Sequence, residues 1–151
     1  MKTPPVSLSE FLKHKSYFKI KMHLIASNHF KILLNVNGVK GLFILDTGAS
    51  TTFIDIKLEE RFKLRSEPSI VKASGAGPDK IDTLFSKNNT IKIGGWVKSH
   101  FPIALIDLSY VNNAFDSMAT APVDGIIGAD ILKKGCAVID YEKKYLYLKQ
   151  S

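Results

Sequence analysis

The chain has 151 residues, which is enough for one domain that buries a substantial core. Hydrophobic residues make up 45% and charged residues 23%, a balance that is typical of a globular protein and excludes a disordered chain. The formal net charge is +7, but the basic residues are mostly lysines spread along the chain, as on a solvated surface. We therefore expect no binding to nucleic acid.

Membrane-spanning and disulfide-rich proteins are disfavoured as well. No apolar run reaches the roughly 18 to 20 residues of a membrane span, and the N-terminal residues lack the apolar stretch of a secretory signal. The single cysteine, Cys136, excludes an internal disulfide framework and is expected to be a small core residue. These features favour a cytoplasmic location for the chain as given, and they leave open a longer precursor with a leader or an anchor.

Strand patterns dominate the first third of the chain. Residues 17–26 alternate apolar and polar side chains, which predicts one half-buried strand. The segments FKILLNV (30–36) and VKGLFIL (39–45) predict two more strands, joined by Asn37-Gly38, a pair that favours a type I′ hairpin turn. Three antiparallel strands therefore lead the chain to Asp46.

The rest of the chain also predicts strands, with short helices between them. Two strands are expected around Gly94-Gly95, and residues 137–149 are typical of a closing hairpin. Helical patterns occur at 7–15, where Ser7 and Glu10 have capping-box spacing, at 55–64 after the N-cap candidate Asp55, and at 129–135 before Gly135. The best loop candidates are 72–80 and 109–123.

These patterns predict an all-β protein with one domain. Residues 1–16 are interpreted as an N-terminal extension and residues 17–151 as the domain itself. The expected architecture is a distorted closed barrel with one or two short helices.

The segment GLFILDTGASTTFI (41–54) carries the main indication of function. An apolar strand runs into Asp46 and resumes as another apolar, β-branched run. A carboxylate at the end of a buried strand is destabilised by desolvation unless hydrogen bonds stabilise its charge. Thr47 brings a hydroxyl, and Gly48 has no Cβ, so that a backbone N–H can approach the carboxylate. This loop is suited to presenting an acid rigidly.

The loop resembles the Asp-Thr-Gly loop of aspartic proteases, in which two such aspartates share one proton and activate a water. The context matches on both sides, since LFIL precedes the triplet and ASTTFI follows it. Farther on, DGIIGADIL (124–132) resembles the second signature of that family. The resemblance implies that Ile126, Ile127 and Gly128 pass beneath the active loop and that a short helix follows.

A glycine-rich segment between the two signatures resembles the substrate-covering flap of the same family. The resemblance assigns substrate contacts to six consecutive residues there: Ser74, Gly75, Ala76, Gly77, Pro78 and Asp79. The segment lacks the lysine and the strand-to-helix context of a phosphate-binding loop. A plain turn is the alternative interpretation of these glycines.

The chain is similar to the retropepsin-like, single-lobe branch, because it carries one Asp-Thr-Gly loop and its Asp124-Gly125 lacks the hydroxyl residue. The resemblance implies a homodimer with the site on its two-fold axis. The loop residues that would support Asp46 are Thr47, Gly48, Ala49 and Ser50. Of these, Thr47 would form a hydrogen bond across the dimer. Many viral members pair an acid at the position of Ser50 with an arginine at that of Ala129, and both are missing here. The chain is also longer than viral members, at its N-terminus and in 109–123.

Other polar residues have simpler interpretations. Asp55, Asp79 and Asp82 are expected to be cap and loop residues. The four histidines, His14, His23, His29 and His100, have no metal-ligand spacing, so that no metal and no organic cofactor are expected.

The sequence thus predicts an aspartic endopeptidase that hydrolyses peptide or protein substrates with two Asp46 carboxylates, one from each subunit. The alternative is a catalytically silent module that uses the same fold for dimerisation or peptide binding. The intact triplet favours the enzyme, because a purely structural domain would not require it.

Overall fold

The computed structural model describes residues 4–68 and 83–150 of the chain. The predicted flap residues, 74–79, lie outside the described residues, as do Asp79 and Asp82. None of the described helices is both long and apolar enough to cross a membrane.

Strands are the main secondary structure of the described chain, and the helices are few and short. The helices are α1 (Leu8–His14), α2 (Ser109–Ser117) and α3 (Ala129–Lys134), and a single 3-10 turn covers Ile56–Leu58. The strands are β1 (Tyr17–Lys21), β2 (His23–Leu24), β3 (Phe30–Val36), β4 (Val39–Leu45), β5 (Phe53–Asp55), β6 (Ser66–Pro68), β7 (Leu84–Ile93), β8 (Trp96–Ile106), β9 (Gly125–Ile127), β10 (Val138–Asp140) and β11 (Tyr145–Lys149).

The hairpin β3–β4 forms as its sequence predicts. Its register pairs Val36 with Val39 and Phe30 with Leu45. The two residues between the strands have positive φ, 52° at Asn37 and 82° at Gly38, as a type I′ turn requires. Alternate side chains of β3 are buried, so this hairpin forms one wall of the core and delivers the chain to Asp46.

A closed barrel is built on this hairpin, which confirms the predicted fold class. Its six strands follow the order β3, β4, β9, β5, β8 and β7, and β7 pairs back with β3. The short strand β9 lies between β4 and β5, parallel to the first and antiparallel to the second. Its position places the residues that follow it, beginning with Gly128, beneath the loop that follows β4.

A second sheet of three strands, in the order β1, β11, β10, joins the two ends of the described chain. β1 and β10 are its edges, and both pair antiparallel with β11. The predicted closing hairpin is therefore confirmed. The barrel interior is filled by large apolar side chains that are almost fully inaccessible, among them Trp96, Phe43, Phe62, Met22, Ile32, Ile54 and Leu105.

Several predictions about local structure are wrong. Of the helix predicted at 55–64, only the 3-10 turn Ile56–Leu58 forms. Residues 17–26 form two strands, because the N–H of buried Met22 bonds to the carbonyl of Lys144 and the chain then changes partner from β11 to β3. Cys136 is exposed in the turn after α3, with φ of 45°, and not buried.

The segment 109–123, predicted as a loop, contains α2. Its Asn-rich sequence has weak helix propensity. Val111 and Phe115, four residues apart, pack with Ile44 and Val123 in a small apolar cluster. Tertiary packing therefore outweighs propensity here, and the described part of the chain has three short α-helices where one or two were expected.

Candidate active site

Asp46 stands at the end of β4. The last residue of the strand, Leu45, pairs with Ile127 of β9, and the N–H of Asp46 donates to the Ile127 carbonyl over 3.0 Å. The backbone of Asp46 is thus anchored on β9. The sequence predicts a desolvated carboxylate at the end of a buried strand. In the single chain the Asp46 side chain is instead exposed.

The backbone of Gly48 contacts the Asp46 carboxylate. Its N–H donates to Oδ1 of Asp46 over 2.9 Å. A Cβ on Gly48 would stand 3.2 Å from the same oxygen, which is closer than most such contacts, so glycine suits this approach. The N–H of Ala49 closes the turn on the Asp46 carbonyl over 3.2 Å. Thr47 is exposed at the tip of the turn.

Gly128 lies directly beneath this loop. A Cβ at this position would stand 2.5 Å from the carbonyl oxygen of Thr51 and 2.9 Å from that of Ala49. The next residue, Ala129, donates its N–H to the Ala49 carbonyl over 2.7 Å. Because these contacts are with backbone atoms, the loop and the start of α3 fit together only without a side chain at residue 128. Ile126 and Ile127 precede Gly128 in β9.

A polar network between Thr52 and Asp130 ties the same two elements together. The Asp130 carboxylate accepts the N–H of Thr52 over 2.9 Å and its hydroxyl over 2.7 Å. The Thr52 hydroxyl in turn accepts the N–H of Gly128 over 3.1 Å. Thr52 is only 1% exposed and Asp130 is half-buried, so the Thr52 end of this network is shielded from water.

Sequence analysis missed the Thr52–Asp130 network. Its only local signal was Asp130, an acid in the first turn of a short helix. Ser50, the predicted supporting residue nearby, is exposed, and Ala129 has no polar side chain. The loop and α3 are therefore joined without the acid and arginine that many viral members carry at those two positions.

The Asp124 side chain makes contacts that stabilise the fold. Its carboxylate accepts the N–H of Leu42 over 2.9 Å and contacts the Arg61 guanidinium over 3.2 Å. Asp55 caps the 3-10 turn, because its carboxylate accepts the N–H of Lys57 over 3.2 Å. Within residues 4–68 and 83–150, no group of three or more His, Cys, Asp and Glu side chains is placed to hold a metal ion.

Asp46 borders an apolar cavity of about 290 Å³. The wall opposite the barrel is α2, and the barrel side includes Ile44 and Ile126. The described residues that line the cavity are His29, Ile44, Asp46, Tyr110, Val111, Ala114, Phe115, Met118 and Ile126. Asp46 is the one carboxylate among them, so the second acid of an aspartate pair is not supplied by this wall.

A larger cavity of about 410 Å³ lies elsewhere, and its lining is polar and charged. Its residues are Asn37, Lys63, Arg65, Glu67, Ser86, Lys87 and Asn88. None of the residues predicted for catalysis lines it. Size alone therefore does not locate the site, and the smaller cavity is the candidate because it contains Asp46.

The fold is that of the retropepsin-like aspartic proteases. A retropepsin-like aspartic protease from Rickettsia conorii superposes with a TM-score of 0.58 at 18% identity, covering 89% of this chain and 90% of that one. The EIAV protease in complex with the inhibitor HBY-793 superposes with a TM-score of 0.53 at 23% identity, covering 72% of this chain and 88% of that one. The retroviral protease-like domain of Ddi1 from Leishmania major superposes with a TM-score of 0.54 at 20% identity, covering 78% of this chain and 86% of that one.

The family model for aspartyl proteases matches residues 32–131. This segment is well over half of the chain and includes the Asp46 loop, α2 and β9. The chain belongs to the aspartyl protease family. A comparison with curated protein sequences gives no match.

Proposed function

We propose that the protein is an aspartic endopeptidase in which two Asp46 carboxylates, one from each subunit of a homodimer, activate a water. The observation that carries this proposal is the exposed Asp46 carboxylate, which the Gly48 N–H holds over 2.9 Å at the end of an anchored strand. An exposed acid in a fixed position is free to meet a second acid and a substrate. The family of the chain supports the same reaction.

The chemistry follows from the pair. Two carboxylates that face each other closely share one proton, because both cannot ionise cheaply. The ionised Asp46 takes a proton from water, which attacks the peptide carbonyl, and the protonated Asp46 of the other subunit donates to the carbonyl oxygen. The roles reverse when the amine leaves. Neither step requires a metal or an organic cofactor.

A homodimer supplies the missing acid. In the described part of one chain, the cavity wall contains a single carboxylate. Thr47, exposed at the tip of the loop, would bond to its counterpart beneath the pair. The edge strand β10 pairs only with β11 among the described strands, and an open strand edge is a template for a second copy. The residues 74–79 would cover the substrate.

Substitution of Asp46 tests the catalytic role. Asp46→Asn keeps the shape of the side chain but cannot act as a base, so we expect it to abolish cleavage of an unfolded protein such as reduced casein. Asp116→Asn is the matched control, because Asp116 is exposed on α2 and does not line the cavity. Pepstatin should inhibit the wild type and the control alike. Cleavage by Asp46→Asn at the wild-type rate would refute the mechanism.

Dilution tests the shared site. Specific activity should fall as the protein is diluted below its dimer dissociation constant, and sedimentation at the same concentrations should show monomers appearing. Constant activity per chain in a monomeric preparation would rule out a shared pair. A stable dimer that binds peptides without cleaving them would instead be the silent module, which is the alternative function.

A further inference from the structure

The larger cavity, of about 410 Å³, lies at the other end of the β3–β4 hairpin from Asp46. Asn37, in the turn of the hairpin, lines it, whereas Asp46 follows the opposite end of β4. Because the seven residues of β4 extend by about 3.4 Å each, the two ends are about 20 Å apart. The larger cavity is therefore separate from the site of Asp46, and the proposed function gives it no role.

Buried polar side chains hold one wall of the larger cavity in place. Ser86, which lines it, and Asn89, farther along β7, are each 2% exposed. The Asn89 amide donates to the Ser86 carbonyl over 3.0 Å and to the Phe101 carbonyl over 3.1 Å. Its oxygen accepts from the Asn37 amide over 2.9 Å, and the Ser86 hydroxyl accepts the Arg65 N–H over 3.1 Å. Because these buried groups all have partners, the wall is preorganised.

A β-bulge brings consecutive residues of β7 to the same cavity. Two residues of β7, Lys87 and Asn88, lie opposite one residue of β8, Pro102. Proline has no N–H to donate to its neighbour strand, which suits a bulge at this point. In a regular strand, consecutive side chains point to opposite faces of the sheet. Ser86, Lys87 and Asn88 nevertheless all line the larger cavity, because the bulge redirects the strand there.

Positive charge is in excess around the larger cavity. Lys63, Arg65 and Lys87 line it together with a single acid, Glu67, which contacts Lys87 over 3.4 Å. Within residues 4–68 and 83–150, no acid forms an ion pair with Lys63 or Arg65. The described lining therefore has a net charge of +2, and two of its cations are available to a ligand.

We propose that the larger cavity is a binding site for a sugar phosphate. A phosphate group carries close to two negative charges at neutral pH, which matches the net charge of the described lining. The planar guanidinium of Arg65 can donate two parallel hydrogen bonds to phosphate oxygens, and the Lys63 ammonium supplies a second cation.

The size and chemistry of the cavity indicate what carries the phosphate. A volume of about 410 Å³ lies in the range of small-molecule pockets, roughly 300–1,000 Å³, so an inorganic ion would leave most of it filled with water. The described lining contains no aromatic side chain on which a nucleotide base could stack. The exposed Asn88 amide can donate to and accept from the hydroxyl groups of a sugar.

Calorimetric titration of the whole chain tests the ligand class. Ribose 5-phosphate, glucose 6-phosphate and fructose 6-phosphate are each titrated at one fixed ionic strength, since salt screens exposed charges. Glucose and inorganic phosphate are titrated as comparisons. We expect at least one sugar phosphate to bind about tenfold or more tightly than either comparison. Absent binding, or inorganic phosphate binding as tightly as every sugar phosphate, would overturn the proposal.

Charge removal tests the location. The double variant Lys63→Gln, Arg65→Gln should bind the same sugar phosphate about tenfold or more weakly, because it loses the charged donors to phosphate. The matched control is Lys13→Gln, Lys21→Gln, which lowers the net charge equally at exposed positions outside the cavity lining. Its affinity should equal that of the wild type. Equal affinities in all three proteins, or an equal loss in both double variants, would refute the site.

Glu67→Gln provides a test in the opposite direction. The substitution removes the acid of the described lining and frees Lys87, so the affinity for the sugar phosphate should rise about twofold or more. An unchanged or lower affinity would contradict the role of charge. Since calorimetry measures binding directly and Asp46 does not line this cavity, these results do not depend on whether the protein cleaves peptides.

Discussion

The buried hydroxyl of Thr52 offers a direct measure of what holds the Asp46 loop onto α3. It donates to Oδ1 of Asp130 over 2.7 Å and accepts the Gly128 N–H over 3.1 Å. Thr52→Val keeps the shape of the side chain and removes both hydrogen bonds. Asp130 retains the N–H groups of Thr52 and Ile131 as partners, so the carboxylate itself is not left without donors.

The expected loss of stability follows from the two bonds. A hydrogen bond to a charged acceptor contributes about 1.5–3 kcal/mol, and a buried N–H left without a partner costs about 1–3 kcal/mol. Because such terms do not add fully, we expect the free energy of unfolding to fall by about 2–4 kcal/mol. For a domain of this size, that corresponds to a decrease in Tm of about 5–15 °C.

Urea unfolding and thermal melts at one fixed protein concentration measure the effect, since a dimer would make stability depend on concentration. Thr51→Val is the matched control. Thr51 is half-buried, and no hydrogen bond of its hydroxyl is found in the described part of the chain, so its free energy of unfolding should change by less than about 0.5 kcal/mol. If Thr52→Val is as stable as Thr51→Val, the network does not hold the loop.

Two further predictions concern the loop and α2. Gly128→Ala places a Cβ 2.5 Å from the Thr51 carbonyl oxygen, so the loop must shift. We expect the free energy of unfolding to fall by about 1–3 kcal/mol and activity to be lost, and unchanged melts and turnover would contradict this. At the start of α2, hydrogen bonds from the Ser109 hydroxyl and N–H lower the pKa of Asp107 below 3.8. The stabilisation is present above the pKa that Asp107 has in the unfolded chain, and it is lost as pH falls through its pKa in the folded chain. The Tm difference between wild type and Asp107→Asn should therefore be largest above about pH 5 and shrink towards pH 3. A Tm difference that stays constant with pH would refute the role of the Asp107 carboxylate.

The sequence by itself determined the elements whose signals are local. The alternation in β3 and the Asn37-Gly38 pair predict a hairpin, because a two-residue turn with positive φ at both positions matches the twist of the strands. The Asp46 loop was predictable for the same reason, since the contact between its carboxylate and the Gly48 N–H spans two residues. The cap of α1, in which the Ser7 hydroxyl accepts the Glu10 N–H over 3.1 Å, is a third example.

Only the tertiary structure decided features that join distant segments. The Thr52–Asp130 bonds span 78 residues. The place of β9 between β4 and β5 depends on parallel pairing with β4, which no local pattern encodes. Helix α2 forms against its own weak propensity, because the burial of Phe115 outweighs it. The cavity beside Asp46 exists only where this helix meets the barrel. Local chemistry thus predicts the Asp46 loop, whereas packing between segments far apart in sequence creates the cavity beside it.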